Sequence, residues 1–130
     1  MNELNYSPSL VTAIKSAKSL AIQDGQSTYG AAHLAVAVLF APTGLVEVLN
    51  SLSKDIEYIK EWFEVRREVY TSNPTNDNII IADEEVEKIF NEANFNKIRL
   101  GSDYIDAFSV FIAITKPGLV YSDQQIDGLN

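Results

Sequence analysis

The chain contains one helical plan twice, and that repetition restricts its fold more than any single motif does. Residues 10–46 read LVTAIKSAKSLAIQDGQSTYGAAHLAVAVLFAPTGLV, and residues 86–120 read VEKIFNEANFNKIRLGSDYIDAFSVFIAITKPGLV. A shift of 76 positions sets Gly25 on Gly101, Ala17 on Ala93, Ala31 on Ala107 and Ala37 on Ala113. After a two-residue deletion, Thr43-Gly44-Leu45-Val46 meets Pro117-Gly118-Leu119-Val120. Each copy runs helix, glycine stop, short loop, apolar helix, then a Gly-Leu-Val restart. Such a unit cannot bury its apolar face alone, whereas two facing copies can. The expected fold class is therefore all-α: two pseudo-twofold-related helical repeats packed into one globular domain. Repeat one is expected over about 7–70, a linker over 71–82 and repeat two over about 83–130.

The local signals agree with that plan. Ser7-Pro8 opens a helix, with Ser at the N-cap and Pro at the first helical position. Leu10, Val11, Ile14, Ala17, Leu20 and Ala21 follow at helical spacing. Gly25 stops that helix as a left-handed cap. Ala31 to Phe40 is apolar nearly all round, the mark of a central helix. A short helix is expected over 45–52. A longer amphipathic one, capped by Ser53, then carries Ile56, Ile59, Trp62, Phe63, Val65 and Val69 inward. TSNPTNDN, residues 71–78, is polar loop. Ile79-Ile80-Ile81 is too short a run for a sheet and is expected as extended chain on the surface. Asp83 caps the second copy, with Val86, Ile89, Phe90, Ala93 and Ile98 inward, and Asp103 or Asp106 starts its buried helix. The second copy lacks the long helix that follows the first Gly-Leu-Val, so its end is expected to be the cut edge of a longer protein.

Composition removes several classes of function. At 130 residues one domain suffices, and a chain of that size buries roughly 65–70% of its unfolded surface. No apolar run approaches the ~18 residues that span a bilayer, and MNELNYSPS is not a signal peptide. Cysteine is absent, which excludes disulfides, zinc-thiolate sites and thiol catalysis and fits a cytoplasmic chain. The net charge is −8 and the pI about 4.5. The one basic doublet, Arg66-Arg67, is flanked by Glu64 and Glu68, so neither nucleic-acid nor membrane binding is expected.

Catalysis and metal binding are not expected either. His33 is the only histidine, without a second ligand at metal-binding spacing, and is read as a capping or packing residue. Glu57, Glu61, Glu64 and Glu68 share one helical face and are read as solvated, since the inward glutamates of bundle metal sites come with histidines. Glu84, Glu85 and Glu87 sit in a first helical turn, where they complement the dipole.

Ala17-Lys18-Ser19-Leu20-Ala21, then Gly25, then Ala32-His33-Leu34 leading Ala35 to Leu39, resembles the Clp amino-terminal domain. That domain is the double-repeat module at the front of Clp-type AAA+ unfoldases and disaggregases. His33-Leu34 matches the family's Thr-Glu-His-Leu-like helix start, with Ala32 where Glu is usual. In the second copy Gly101, Tyr104 and Ile105 fit, while Phe108-Ser109 replace the usual Glu-His or Glu-Leu. The resemblance covers about residues 7–121. It implies a recruitment domain without a catalytic site, monomeric in isolation and belonging to a hexameric parent. This chain has no G-x-x-x-x-G-K-[ST] loop, so ATP and its cofactor chemistry would belong to modules outside it. The implied partner is a client or adaptor protein segment, with capture of a type VI secretion sheath helix as one version. The alternative is a stand-alone adaptor without an ATPase module.

The resemblance also carries the binding positions. In the family, ligand contacts gather around the start of the first helix and the matching region of the second repeat. Those positions are Ser7, Leu10, Val11, Glu92, Ser102, Asp103, Phe108 and Ser109. Ser7 also reads as a helix cap, and Phe108 also reads as core. Glu92 and Ser109 stand where disaggregase members tend to be apolar, which favours a defined peptide or helix whose register polar groups fix. Leu10, Val11 and Phe108 are the expected anchors, Glu92 and Asp103 the expected rim. Tyr6, Tyr104 and Tyr121 are further contact aromatics.

Overall fold

The computed structural model describes residues 5–40, 43–69, 80–99 and 101–129. Helix α1 spans Pro8–Gln23, strand β1 Thr28–Tyr29 and helix α2 Ala31–Phe40. Helices α3 (Leu45–Ser51) and α4 (Ile56–Glu68) complete the first repeat. The second comprises β2 (Ile81–Ala82), α5 (Glu84–Arg99), α6 (Ala107–Ile114) and α7 (Asp123–Leu129). The expected linker falls mostly on residues 70–79, outside the described ones.

Image residues build the two repeats alike. Leu10 N–H donates to the Ser7 hydroxyl at 3.2 Å, and Val86 N–H donates to Asp83 Oδ1 at 2.9 Å. Each cap satisfies one of the orphan donors of a first turn. At the other helix end, Gln26 N–H reaches the Ala21 carbonyl at 2.8 Å, and Ser102 N–H reaches the Lys97 carbonyl at 3.0 Å. This is the Schellman closure, which needs a left-handed residue in the middle. Gly25 and Gly101 supply it, with φ of 69° and 71°.

Two short parallel joints connect the repeats. At one, Tyr6 pairs with Ile105, Ser7 N–H donates to the Ile105 carbonyl at 2.8 Å, and Ile105 N–H donates to the Asn5 carbonyl at 2.7 Å. At the other, β1 pairs with β2, Thr28 opposite Ile81 and Tyr29 opposite Ala82, and Asp83 N–H donates to the Tyr29 carbonyl at 3.1 Å. The same shift of 76 carries Tyr6 to Ala82, Ser7 to Asp83 and Tyr29 to Ile105. Each joint is thus the image of the other with its strands exchanged, as a pseudo-twofold relation requires.

The core sits where the repeats meet. Helix α2 is buried from Ala31 through Leu39. Helix α1 buries Leu10, Ala13, Ala17 and Ala21 against it, one small line that allows close approach. Helix α4 closes the far side with Trp62 and Phe63, whose rings meet edge-on at 4.9 Å. Tyr121 packs on Trp62 at 5.1 Å, and Phe111 on Phe63 at 6.1 Å. Helix α7 adds Ile126 and Leu129 to that core, and Tyr58 Oη donates to the Gly128 carbonyl.

Several sequence expectations are corrected. Ile81 does join a sheet, because its partner strand comes from the other repeat, and Ile80 is buried. Helix α4 is capped by Asp55, whose Oδ1 accepts Tyr58 N–H at 3.1 Å; Ser53 lies in the turn before it, with φ of 60°. Val65, Val69 and Ile98 are exposed. At 3.6 residues per turn, Ile98 points roughly 140° away from the line through Val86, Ile89, Phe90 and Ala93. Of the two starts expected for α6, Asp106 is the one the structure uses: its Oδ1 accepts Ser109 N–H at 2.8 Å.

Candidate functional site

The joint between Tyr6 and Ile105 places the starts of α1 and α6 at one end of the molecule. An open groove of about 740 Å³ lies there, lined by Asn5, Lys97, Ile98, Gly101, Ser102, Asp103 and Tyr104. Ile98 and Tyr104, 63% and 53% exposed, put two large apolar side chains at the groove. The turn holding them is fixed by two bonds: the Ser102 hydroxyl donates to the Tyr104 carbonyl at 3.0 Å and accepts Tyr104 N–H at 3.3 Å.

The expected site residues divide into four groups. Ser102 and Asp103 line the groove, and Val11 is an exposed apolar side chain near the start of α1. Ser7 caps α1, and Phe108 is half-buried against the core. Leu10 and Ser109 are fully buried, so the expectation that they present contact surface is corrected. Leu10 lies on the same helix face as Ala13 and Ala17. The polar Ser109 sits in the apolar inner face of α6, beside the Asn96 amide, which donates to its carbonyl at 3.4 Å. Glu92, on α5, accepts a bond from Lys116 Nζ, just past the far end of α6, at 3.1 Å, so its charge is spent within the repeat. Of the three tyrosines, Tyr104 is exposed, Tyr121 is buried, and Tyr6 packs on Phe90 at 5.2 Å.

The sequence reading missed Ile98, Asn5 and Lys97. Ile98 breaks the inward periodicity of its helix, and that break was the available signal. Asn5 reaches the groove only through pairing with the distant Ile105.

A second groove, of about 620 Å³, crosses the first repeat between α1, α2 and α4. Thr12, Ser16 and Ser19 form one wall, Val36, Ala37 and Phe40 the floor, and Glu64 and Arg67 the other wall. Phe40 is 62% exposed, with Lys60 Nζ 4.5 Å from its ring centre.

Among the described residues His33 is the most buried titratable group, at 1% exposure. Gly30 N–H donates to its Nδ1 at 2.9 Å, so Nε2 carries the hydrogen and donates to Asp24 Oδ2 at 2.9 Å. Asp24 also receives Arg67 Nε at 2.6 Å and Nη2 at 3.0 Å. Burial pulls the imidazole below its ordinary pKa, outweighing the opposite pull of Asp24. Burial would raise the Asp24 carboxyl, but the bonds from Arg67 and His33 together hold it below its ordinary value. Histidine here caps a helix and orients an aspartate. Among the described residues no three His, Asp or Glu side chains converge on a point where a metal could sit, and no single helix is long and apolar enough to cross a membrane.

The Clp repeat N-terminal domain model matches residues 5–120. The chain belongs to the Clp repeat N-terminal domain family. No curated protein sequence matches it significantly. Solved structures do. The Hsp104 N-terminal domain from Candida albicans superposes with a TM-score of 0.74 at 16% identity, covering 96% of this chain and 79% of that one. A chain described as "Peptide from EAEC T6SS Sci1 SciI protein" gives 0.79 at 15% identity, covering 96% and 79%. One from work on the ATPase ClpV, the TssB-TssC sheath and the accessory HsiE protein of type VI secretion gives 0.76 at 15%, covering 97% and 76%. At these identities the likeness establishes the fold.

Proposed function

We propose that this Clp N-domain is a non-catalytic docking module that recruits a client or adaptor protein segment to a Clp-type AAA+ ATPase. The observation that carries this reading is the groove beside the Gly101 turn, where Ile98 and Tyr104 stand exposed next to Ser102 and Asp103. An apolar contact surface with a polar edge is what helix-in-groove or extended-peptide docking requires. Val11 and Phe108 extend the apolar surface in this reading. Because Glu92 is tied to Lys116, and Lys97 lies in the same groove as Asp103, the rim is close to electrically balanced. Apolar contact rather than charge then dominates, and the salt dependence of binding is small.

Recycling of a type VI secretion sheath is the specific version we favour, since two of the similar structures come from that system. In this version the parent is hexameric and cytoplasmic, and ATP is bound by modules other than this one. A stand-alone adaptor is the second reading; a phosphate loop encoded beyond Asn130 separates the two.

The test is a titration of the chain with a fluorescent SciI peptide. Val11→Lys and Tyr104→Ala are each expected to weaken binding by about tenfold, the cost of ~1.4 kcal/mol in lost apolar contact. Unchanged affinity with the fold retained places the groove elsewhere. No binding by the unaltered chain sinks the sheath version.

A further inference from the structure

Two joints hold the repeats together, and only one of them depends on a histidine. At the joint of Tyr6 with Ile105, α1 is capped by Ser7 and α6 by Asp106. At the joint of β1 with β2, α5 is capped by Asp83, but α2 begins at Gly30-Ala31 with no hydroxyl or carboxylate at the cap position. His33 takes over there, reaching back so that its Nδ1 accepts Gly30 N–H. Gly30 directly follows Tyr29, whose carbonyl receives Asp83 N–H across the joint.

We infer that the cluster of His33, Asp24 and Arg67 is a pH-sensitive clasp: it closes the joint between β1 and β2 when His33 is neutral and loosens it when His33 is protonated, while the joint between Tyr6 and Ile105 stays shut. The geometry fixes the sign. Protonation puts a hydrogen on Nδ1, which then faces the Gly30 N–H donor to donor inside a buried site. The cap is lost, and the β1 end of the joint loses its anchor.

The groups facing His33 are Asp24 at the end of α1, Arg67 on α4 and Asp83 before α5. The two carboxylates favour the imidazolium, whereas Arg67 and burial oppose it, and burial is the largest effect. A histidine whose folded pKa lies below its ordinary value binds fewer protons folded than unfolded, so its contribution falls as pH drops below about 6.5. The other joint contains no imidazole and is insensitive over that range.

Nitrogen-15 NMR and amide hydrogen exchange on the full chain test this. At pH 7, His33 is expected as the Nε2–H tautomer. Between pH 7 and 5, protection of the Gly30 and Asp83 amides is expected to fall on the order of tenfold more than that of Ser7 and Ile105. His33→Gln, which cannot titrate, abolishes the difference between the joints' pH responses. An Nδ1–H tautomer, equal losses at both joints, or an unchanged pH response in the variant overturns the inference. If the variant does not fold, the tautomer and the contrast between joints in the unaltered chain decide it alone.

Discussion

Repeat one and repeat two share a backbone and differ in what their side chains do with it. Where α1 and α2 carry Ser16 and Phe40, the corresponding positions are Glu92 on α5 and Lys116 just past the end of α6. In repeat two that pair forms an ion bridge across the helices. In repeat one the same place is an open groove with an exposed aromatic at its edge. The starts of the central helices differ in the same way: Asp106 caps α6 from in front, His33 caps α2 from behind. A duplicated fold leaves each copy free to keep the geometry at caps and turns while its exposed and half-buried positions take separate roles. The turn after Gly101 became a groove with exposed apolar side chains, whereas the turn after Gly25 joins a polar clasp.

The largest test of the comparison asks whether the repeats are one folding unit. Phe63 is fully buried and meets Phe111 and Tyr121 of the other repeat. Phe63→Ala is expected to cost about 3–5 kcal/mol. Because the lost contacts span both repeats, urea unfolding should remain a single transition by circular dichroism and by fluorescence. Two separated transitions would show the copies to be independent.

The clasp of repeat one comes next. Asp24→Ala strands the buried imidazole and the partly buried guanidinium of Arg67 together, an expected cost of about 1–3 kcal/mol in urea denaturation. The carboxyl is held below its ordinary pKa, so its contribution is present above about pH 4 and is lost on further acidification. A cost below about 0.5 kcal/mol at pH 7 would make the cluster a surface ornament.

How much of this was legible in the sequence follows from where each signal lives. Gly25, Gly101, Ser7 and Asp83 are local signals: backbone conformation and capping need only a few neighbouring residues, and all four have the expected roles. The joints were not legible, because Tyr29 with Ala82 and Tyr6 with Ile105 are contacts between segments too short to show periodicity. The candidate site was read only in outline. Burial of Leu10 and Ser109 depends on which way α1 and α6 roll against their neighbours, and the charge of Glu92 depends on Lys116, 24 positions away. Exposure of Ile98, by contrast, was readable from its break with the helix period.

Gly25→Ala and Gly101→Ala should match each other. Both glycines hold left-handed φ within 2° of one another. A Cβ at Gly101 meets no atom within 4 Å, so the penalty there is backbone strain without steric clash. Each substitution is expected to cost about 1 kcal/mol. A difference greater than about 1 kcal/mol between the two would mean that the turns are equivalent in shape but not in stability.

The smallest effect is expected where repeat two is closed by charge. Glu92 and Lys116 form one bond at 3.1 Å, and Lys116 is more than half exposed, so water and salt screen the pair. Holding the long lysine side chain in place also costs rotamer entropy. Glu92→Gln should therefore lower stability by no more than about 0.5 kcal/mol, and by less in 1 M salt. That is several-fold below the Asp24 substitution, although both remove one carboxylate from an ion pair between helices. The difference would come from the neighbours: Asp24 receives three bonds from two cations or donors that burial confines, and Glu92 receives one from a solvated amine. Equal costs for the two substitutions would erase this distinction and give the bridge of repeat two a structural weight equal to the clasp of repeat one.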